Sequence, residues 1–294
     1  RCICVDQDKN VFFLVDNDGK FAAFMLNEEA DKLISLKSDI NALFNSPVLG
    51  YNSKDDIVYQ FWANRDSHEV YYFDPKTDYA PTTAISSISW DDPNFPNIEG
   101  FGVWAAKCNF TMGPDGKMYS RMLGGNLVRI DVENARGENL TNGDLVGTKD
   151  GSAYGLVFDP QDENVFYFSN NDKHCIYKYD LRTKECACWA GQEGKSGYLD
   201  GPIGQAMFNK PGQMCVDSEG NIILTDTENH CIRKITMSTG YVSTLAGKPQ
   251  NSGYVNGSAE DAQFKKPLGI CIDNDDVMYI GDSENRAIRR LAVE

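Results

Sequence analysis

Short runs of β-branched and aromatic residues alternate with turn clusters along most of this chain. Between residues 213 and 245, four such runs are separated by turns that contain Gly, Asn, Asp or Ser. Val, Ile and aromatic residues favour strands, whereas Gly, Asn and Asp supply the backbone conformations of tight turns. No window shows a long helical period. The pattern therefore predicts four-stranded antiparallel units without long helices.

The chain also repeats itself with a period of 56 residues. Residues 190–235 align without a gap to residues 246–291, and 17 of 46 positions are identical. Self-similarity at a fixed period indicates a repeat architecture, and four-stranded units arranged radially make a β-propeller. Weaker copies upstream predict six blades, with inner strands near residues 3–5, 48–51, 104–111, 154–158, 213–216 and 269–272. A five-bladed alternative would make the second or third unit an insertion.

The alignment runs out of phase with the ends of the chain. Residue 1 already lies in an innermost strand, and residues 287–293 form the third strand of the sixth unit. We therefore expect residues 1–294 to form a single propeller domain whose last blade lacks its outer strand in this chain. An unpaired strand edge is a liability, so we expect another domain upstream in a longer parent chain to cover it.

Two segments carry a resemblance to a known family. Residues 226–235 read DTENHCIRKI and residues 282–291 read DSENRAIRRL. With the preceding Phe208-x-x-Pro211, they resemble the signature of NHL repeats over residues 190–294. The resemblance implies an all-β, six-bladed propeller of NHL type. The sequence is similar to propellers of secreted or surface proteins of gut-type bacteria. In these proteins the propeller often follows an IPT/TIG domain.

Composition narrows the classes of partner. The chain has 43 acidic and 28 basic residues, a net charge of −15, which repels a phosphate backbone unless a local basic patch overcomes it. The basic residues are scattered, mostly on third strands, as with Arg233 and Arg289. We therefore expect no nucleic-acid partner. No apolar run approaches the roughly 18 residues of a membrane span.

Most residues that could serve catalysis recur as turn residues. His68, His174 and His230 share one position at the start of third strands, too far apart to share a metal with bonds of about 2 Å. Four aspartates close inner strands in the same way: Asp6, Asp159, Asp217 and Asp273. The repeat therefore favours turn roles for both sets, and we predict no catalytic residue, metal ligand or cofactor.

The nine cysteines show no zinc spacing. Cys4, Cys215 and Cys271 occupy one position in inner strands and are expected to be small buried hydrophobic residues. Cys186 and Cys188 point to one face of a strand, which suits packing better than a disulfide, and their redox state stays open.

One connection departs from the repeat. Residues 80–101 form an irregular, proline-containing segment between the second and third units, and long unpatterned loops are often functional. Aromatic faces beside carboxylates and amides suit a sugar ring. The candidate ligand-binding residues are Trp90, Asp91, Asp92, Asn94, Phe95, Trp104 and Tyr154. The alternative is that Trp90 and Phe95 only fill the space between blades.

These observations favour a non-catalytic binding or scaffold propeller of an exported bacterial protein, located in the periplasm or at the cell surface. Its ligand, a glycan or a protein, is expected on the loop-rich face. The resemblance also allows a propeller enzyme, a lyase or a lactonase-type hydrolase with or without a metal, acting at the central channel. Such enzymes place metal-ligating histidines or carboxylates around that channel, whereas no histidine of this chain falls on a predicted inner strand.

Overall fold

The chain divides into two compact units, residues 1–149 and residues 150–294. The computed structural model describes residues 2–17, 20–41, 48–63, 68–85, 88–91, 110–121, 126–141 and 154–292. Each unit holds three β-sheets. The six sheets are the blades of an all-β, six-bladed β-propeller, and the described residues contain no α-helix. The predicted fold class is confirmed.

The first unit contains blades one to three. The first blade comprises β1 (Ile3–Val5), β2 (Val11–Asn17), β3 (Lys20–Leu26) and β4 (Leu33–Asn41). The second comprises β5 (Val48–Asn52), β6 (Ile57–Ala63), β7 (His68–Phe73) and β8 (Thr82–Ile85). The third comprises β9 (Ser89–Trp90), β10 (Thr111–Met112), β11 (Met118–Arg121), β12 (Leu127–Asp131) and β13 (Arg136–Asn139). Its order is β10-β11-β12-β13-β9, so β9 is an additional outer strand.

The second unit contains blades four to six. The fourth blade comprises β14 (Leu156–Asp159), β15 (Asp162–Asn170), β16 (Cys175–Asp180) and β17 (Cys186–Ala190). The fifth comprises β18 (Gly201–Pro202), β19 (Pro211–Val216), β20 (Ile222–Asp226), β21 (Cys231–Thr236) and β22 (Tyr241–Ala246), with β18 paired to β22. The sixth comprises β23 (Pro267–Ile272), β24 (Met278–Asp282) and β25 (Ala287–Leu291). Up to residue 292 the sixth blade has three strands, as predicted.

Strand alternation builds the core between neighbouring blades of the second unit. Ile222 and Leu224 of β20 pack into a cluster with residues of the fourth blade, such as Val165. Ile223 lies between them in sequence, points to the opposite face and packs against Ile270 of the sixth blade. Successive side chains of a strand point to opposite faces, so the fifth blade is buried on both sides.

The inner strands approach each other closely. A Cβ atom on Gly155, just before β14, would lie 2.6 Å from the backbone nitrogen of Met214 in β19. No side chain fits into that distance. Glycine is therefore required at this position by the packing of one inner strand on the next.

Several strand bounds differ from the sequence prediction; β14, for example, begins at Leu156, two residues after the predicted start. Strands β19 and β23 begin at Pro211 and Pro267, two residues before the predicted starts, because proline is tolerated at the first residue of a strand. The connection predicted to be irregular over residues 80–101 begins with two strands, β8 and β9. It therefore contributes one strand to the second blade and one to the third.

Candidate functional site

The predicted ligand loop begins as the outer edge of the third blade. Strand β9 runs parallel to β13, with Ser89 opposite Arg136 and Trp90 opposite Gly137. The N–H of Asp91 donates to the Gly137 carbonyl at 3.0 Å. Four of the candidate residues, Asp92, Asn94, Phe95 and Trp104, lie outside the described residues, and so does the side chain of Trp90. Among the candidates in this loop, Asp91 is the one whose side chain the structure describes.

Asp91 lines a groove of about 510 Å³ on the third blade. The groove is formed where the β10–β11 and β12–β13 turns meet the outer strands, and most of its lining residues are charged. The lining residues are Asp91, Lys117, Arg129, Asp131, Asn134, Arg136, Gly137 and Glu138. Ligand pockets typically span about 300–1,000 Å³, so this groove is large enough for a small polar ligand or one end of a larger one.

Most charges in this groove are already paired. Lys117 Nζ lies 3.4 Å from the Asp131 carboxylate. Arg129 donates from Nε to Glu138 at 3.0 Å. A hydrogen bond from Asn134, with smaller contributions that include Lys117, lowers the pKa of Asp131. The floor of the groove is therefore a fixed network of ion pairs.

Arg136 differs from the other two cations of the groove. Its side chain is exposed, and it has no ion-pair partner within the part of the chain that the structure describes. Asp91, which directly follows β9, accepts the N–H of Asn139 through Oδ1 at 3.2 Å. A planar guanidinium without a protein partner can hold a carboxylate, sulfate or phosphate group in a bidentate manner.

The remaining candidate, Tyr154, lies in the second unit. Its N–H donates to Ser169 Oγ at 3.3 Å, just before β14, and its side chain is half-buried.

Two of the three repeated histidines hold the start of the next blade. His174 Nδ1 accepts the N–H of Lys210 at 3.1 Å, and His230 Nδ1 accepts the N–H of Lys266 at 3.2 Å. Burial, followed by the charge of Lys210, lowers the pKa of His174. The side chain of His68 lies outside the described residues. The turn role predicted from the repeat agrees with these two bonds.

The aspartates that close inner strands also serve their turns. Each accepts a nearby backbone N–H, so its carboxylate fixes the chain reversal between the first two strands of a blade. The bonds run from Asn10 to Asp6 at 2.8 Å, from Gln161 to Asp159 at 2.9 Å, from Asn221 to Asp217 at 2.7 Å and from Val277 to Asp273 at 2.9 Å. Among the described residues, no three His, Cys, Asp or Glu side chains come together as a metal site.

A buried ion pair was missed by the sequence analysis. Arg233 is completely buried, and its Nη1 lies 2.7 Å from Asp226 Oδ2. The guanidinium lies 4.9 Å from the ring centre of Tyr198 and 5.2 Å from that of Phe208. Burial, opposed by the charge of Arg233, raises the pKa of Asp226 to about 6. The signal was present, because both residues recur 56 positions later as Asp282 and Arg289, which are paired at 3.0 Å.

Residues 208–235, which contain this ion pair and the His230 turn, match the model of the NHL repeat. The chain is a six-bladed β-propeller that contains an NHL repeat over these residues. Over 271 residues the propeller is 25% identical to SUPPRESSOR OF QUENCHING 1 of Arabidopsis thaliana, which covers 85% of this chain and 25% of that protein. Over 152 residues it is 30% identical to NHL repeat-containing protein 2 of Gallus gallus, covering 51% of this chain and 19% of that protein. The chain thus spans a quarter or less of these relatives.

Several solved structures similar to this propeller come from Bacteroides. A protein of unknown function from Bacteroides thetaiotaomicron aligns with a TM-score of 0.81 at 22% identity, over 98% of this chain and 67% of that one. An auxiliary nutrient binding protein from Bacteroides ovatus aligns with a TM-score of 0.76 at 19% identity, over 100% and 69% of the chains. A streptogramin B lyase aligns with a TM-score of 0.58 at 13% identity, over 100% and 78%. These similarities establish a shared fold.

Among the residues that the structure describes, no helix has the length and apolar character needed to cross a membrane.

Proposed function

We propose that this propeller is a non-catalytic binding module of an exported bacterial protein, and that the groove on the third blade holds an acidic glycan. The observation that carries the proposal is Arg136, an exposed guanidinium without an ion-pair partner among the described residues, in a groove whose other cations are paired. A uronic-acid carboxylate would supply the missing partner, and the surrounding Asn134 and Glu138 would bind sugar hydroxyls.

The predicted loop residues complete this proposal. Trp90 and Phe95 would supply the flat apolar surface on which a sugar ring stacks, and Asp91, Asp92 and Asn94 would accept or donate hydrogen bonds to the sugar. Trp104 follows along the chain. Tyr154 is a separate candidate in the second unit.

Two observations favour binding over catalysis. The aspartates that a lyase or hydrolase would use at inner-strand ends each accept a backbone N–H of their own turn. In the groove, Asp131 and Glu138 are neutralised by Lys117 and Arg129. The pKa of Asp131 is lowered, and a carboxylate stabilised as an anion in this way is a poor general acid.

The proposed location is the periplasm or the cell surface. Similarity to auxiliary nutrient binding proteins of Bacteroides supports this placement and supports capture of a nutrient. We further propose that residues 1–294 act as one domain beside an upstream domain in a longer chain.

The test is calorimetric titration with a uronic-acid oligosaccharide and with its neutral counterpart. The wild-type protein should bind the acidic ligand more tightly. Arg136→Gln should weaken that binding by about ten-fold or more, because a hydrogen bond to a charged group contributes roughly 1.5–3 kcal/mol. Arg290→Gln, which removes a similar exposed charge from β25, is the matched control and should bind as the wild type does.

Equal binding of the acidic and neutral ligands, or unchanged affinity in Arg136→Gln, would reject this site. Trp90→Ala adds a second measurement. If Trp90 stacks on the sugar, affinity should fall with little change in stability. If Trp90 fills a core gap, the free energy of unfolding should instead fall by about 3–5 kcal/mol.

A further inference from the structure

Two cysteines of the fourth blade lie on neighbouring strands. In the β16–β17 pair, Ile176 is opposite Ala190 and Tyr177 is opposite Cys188, so β17 contains one additional residue at a bulge. Side chains alternate along a strand, so Cys175 points to the same face as Tyr177 and Cys188. The register therefore places both thiols on one face, with the Ile176–Ala190 pair between them.

Gly191 shows how close the two thiols come. The Sγ of Cys188 donates to the Gly191 carbonyl at 3.8 Å. A Cβ atom on Gly191 would lie 3.2 Å from the Cα of Cys175. Both cysteines therefore border one residue, whose positive φ of 95° turns the chain back over β16.

The environments of the two thiols differ. Cys175 is completely buried, whereas Cys188 is partly exposed. A hydrogen bond between the thiols raises the pKa of Cys175 and lowers the pKa of Cys188. Cys188 is thus the accessible and more acidic thiol, and Cys175 stands behind it.

We propose that Cys175 and Cys188 form a reversible dithiol–disulfide site that reacts with small disulfides. The Cys188 thiolate attacks a disulfide RSSR, forms a Cys188–S–S–R bond and releases one thiolate. The Cys175 sulfur then attacks Cys188, its proton passes to the departing sulfur, and the second thiol leaves. Two protein thiols are oxidised to one disulfide, and RSSR is reduced to two RSH.

The fifth blade supplies an internal control. Cys231 occupies the position of Cys175 one repeat later and is also completely buried. In the same bulged register, Arg233 is opposite Thr244, which stands where Cys188 stands in the fourth blade. The Thr244 hydroxyl lies 2.7 Å from the Tyr198 hydroxyl. Cys231 therefore has the same strand geometry with a hydroxyl in place of the second thiol.

The test treats the folded, reduced protein with oxidised glutathione, blocks remaining thiols, and analyses a tryptic digest without reduction. The background variant is Cys186→Ser, which leaves Cys188 as the one cysteine of the peptide 185–195. We expect this peptide to be joined to the peptide 174–178, which contains Cys175. A reductant should separate them, and Cys231 should stay blocked as a free thiol.

Single variants test the order of the two steps. In the Cys175→Ser variant the reaction should stop with glutathione attached to Cys188. In the Cys188→Ser variant Cys175 should remain unreacted. The proposal is overturned if Cys188 remains glutathionylated while Cys175 is present, if neither thiol reacts in the folded protein, or if Cys175 reacts as fast without Cys188.

Discussion

Replacing Asp226 by Asn would leave the buried Arg233 without its closest carboxylate. Both side chains are 0% exposed. Asp226 also accepts hydrogen bonds from the N–H of Asn209 at 2.7 Å and from Nδ2 of Asn229 at 2.8 Å. Removing one partner of a buried pair costs about 3–5 kcal/mol, because the remaining charge is uncompensated in a medium of low polarity.

The second carboxylate near Arg233 decides where in that range the cost falls. Asp200 lies 2.6 Å from Nη2, and its side chain is 33% exposed. This partly solvated contact remains in the variant. We therefore expect Asp226→Asn to lower the free energy of unfolding by about 3 kcal/mol, the lower end of the range.

The assay is a urea titration followed by fluorescence and by amide hydrogen exchange over β20 and β21. Trp189 is the one tryptophan in residues 150–294. Glu260→Gln, at an exposed position, is the control and should change stability by less than about 0.5 kcal/mol.

Arg233→Met completes a double-mutant cycle. The double variant should lose about 1–3 kcal/mol less than the sum of the single variants, because no unpaired charge remains buried. A loss below about 1 kcal/mol in Asp226→Asn, or additive losses in the cycle, would refute the reasoning that a buried charge pair fixes this blade.

Three further predictions concern the second unit. Because the pKa of His174 is lowered, this residue stabilises the fold above about pH 6.5, and that stability is lost as the pH falls through the lowered pKa. In urea titrations at two pH values, His174→Asn, whose amide oxygen can still accept the Lys210 N–H, should lose less stability at the acidic pH than the wild type does. An equal loss in both proteins would contradict this prediction. Phe208→Ala should cost about 3–5 kcal/mol by the same titration, because the ring is completely buried, and a loss under about 1 kcal/mol would argue against its core role. Gly155→Ala should cost about 1–3 kcal/mol by pushing Met214 away; unchanged stability would show that the inner strands separate easily.

The repeat made blades five and six predictable from sequence, because identical turn residues recur at one offset and fix both strand order and register. The same comparison failed over residues 80–101. Strand β9 is two residues long and pairs in parallel with a strand more than forty positions away, so no local pattern announces it. The groove beside Asp91 depends on that pairing and could not be foreseen.

The burial of Arg233 could not be predicted from the sequence pattern either. From the sequence, Arg233 is one of several scattered basic residues on third strands, whereas in the structure its side chain is completely buried between two rings. Periodicity alone cannot distinguish a solvated arginine from a paired one. The recurrence of Asp226 and Arg233 seven residues apart, in both copies, was the available clue.

The backbone bond from Lys210 to His174 recurs as the bond from Lys266 to His230. The contacts of the fourth blade with the fifth, and of the fifth with the sixth, therefore use one residue of a repeat and one of the repeat that follows, at equivalent positions. A tandem duplication of 56 residues from this part of the chain, wherever it began, would copy one blade together with one partner of each bond that joins it to its neighbours. Gene duplication could thus lengthen such a chain without any new contact having to evolve first.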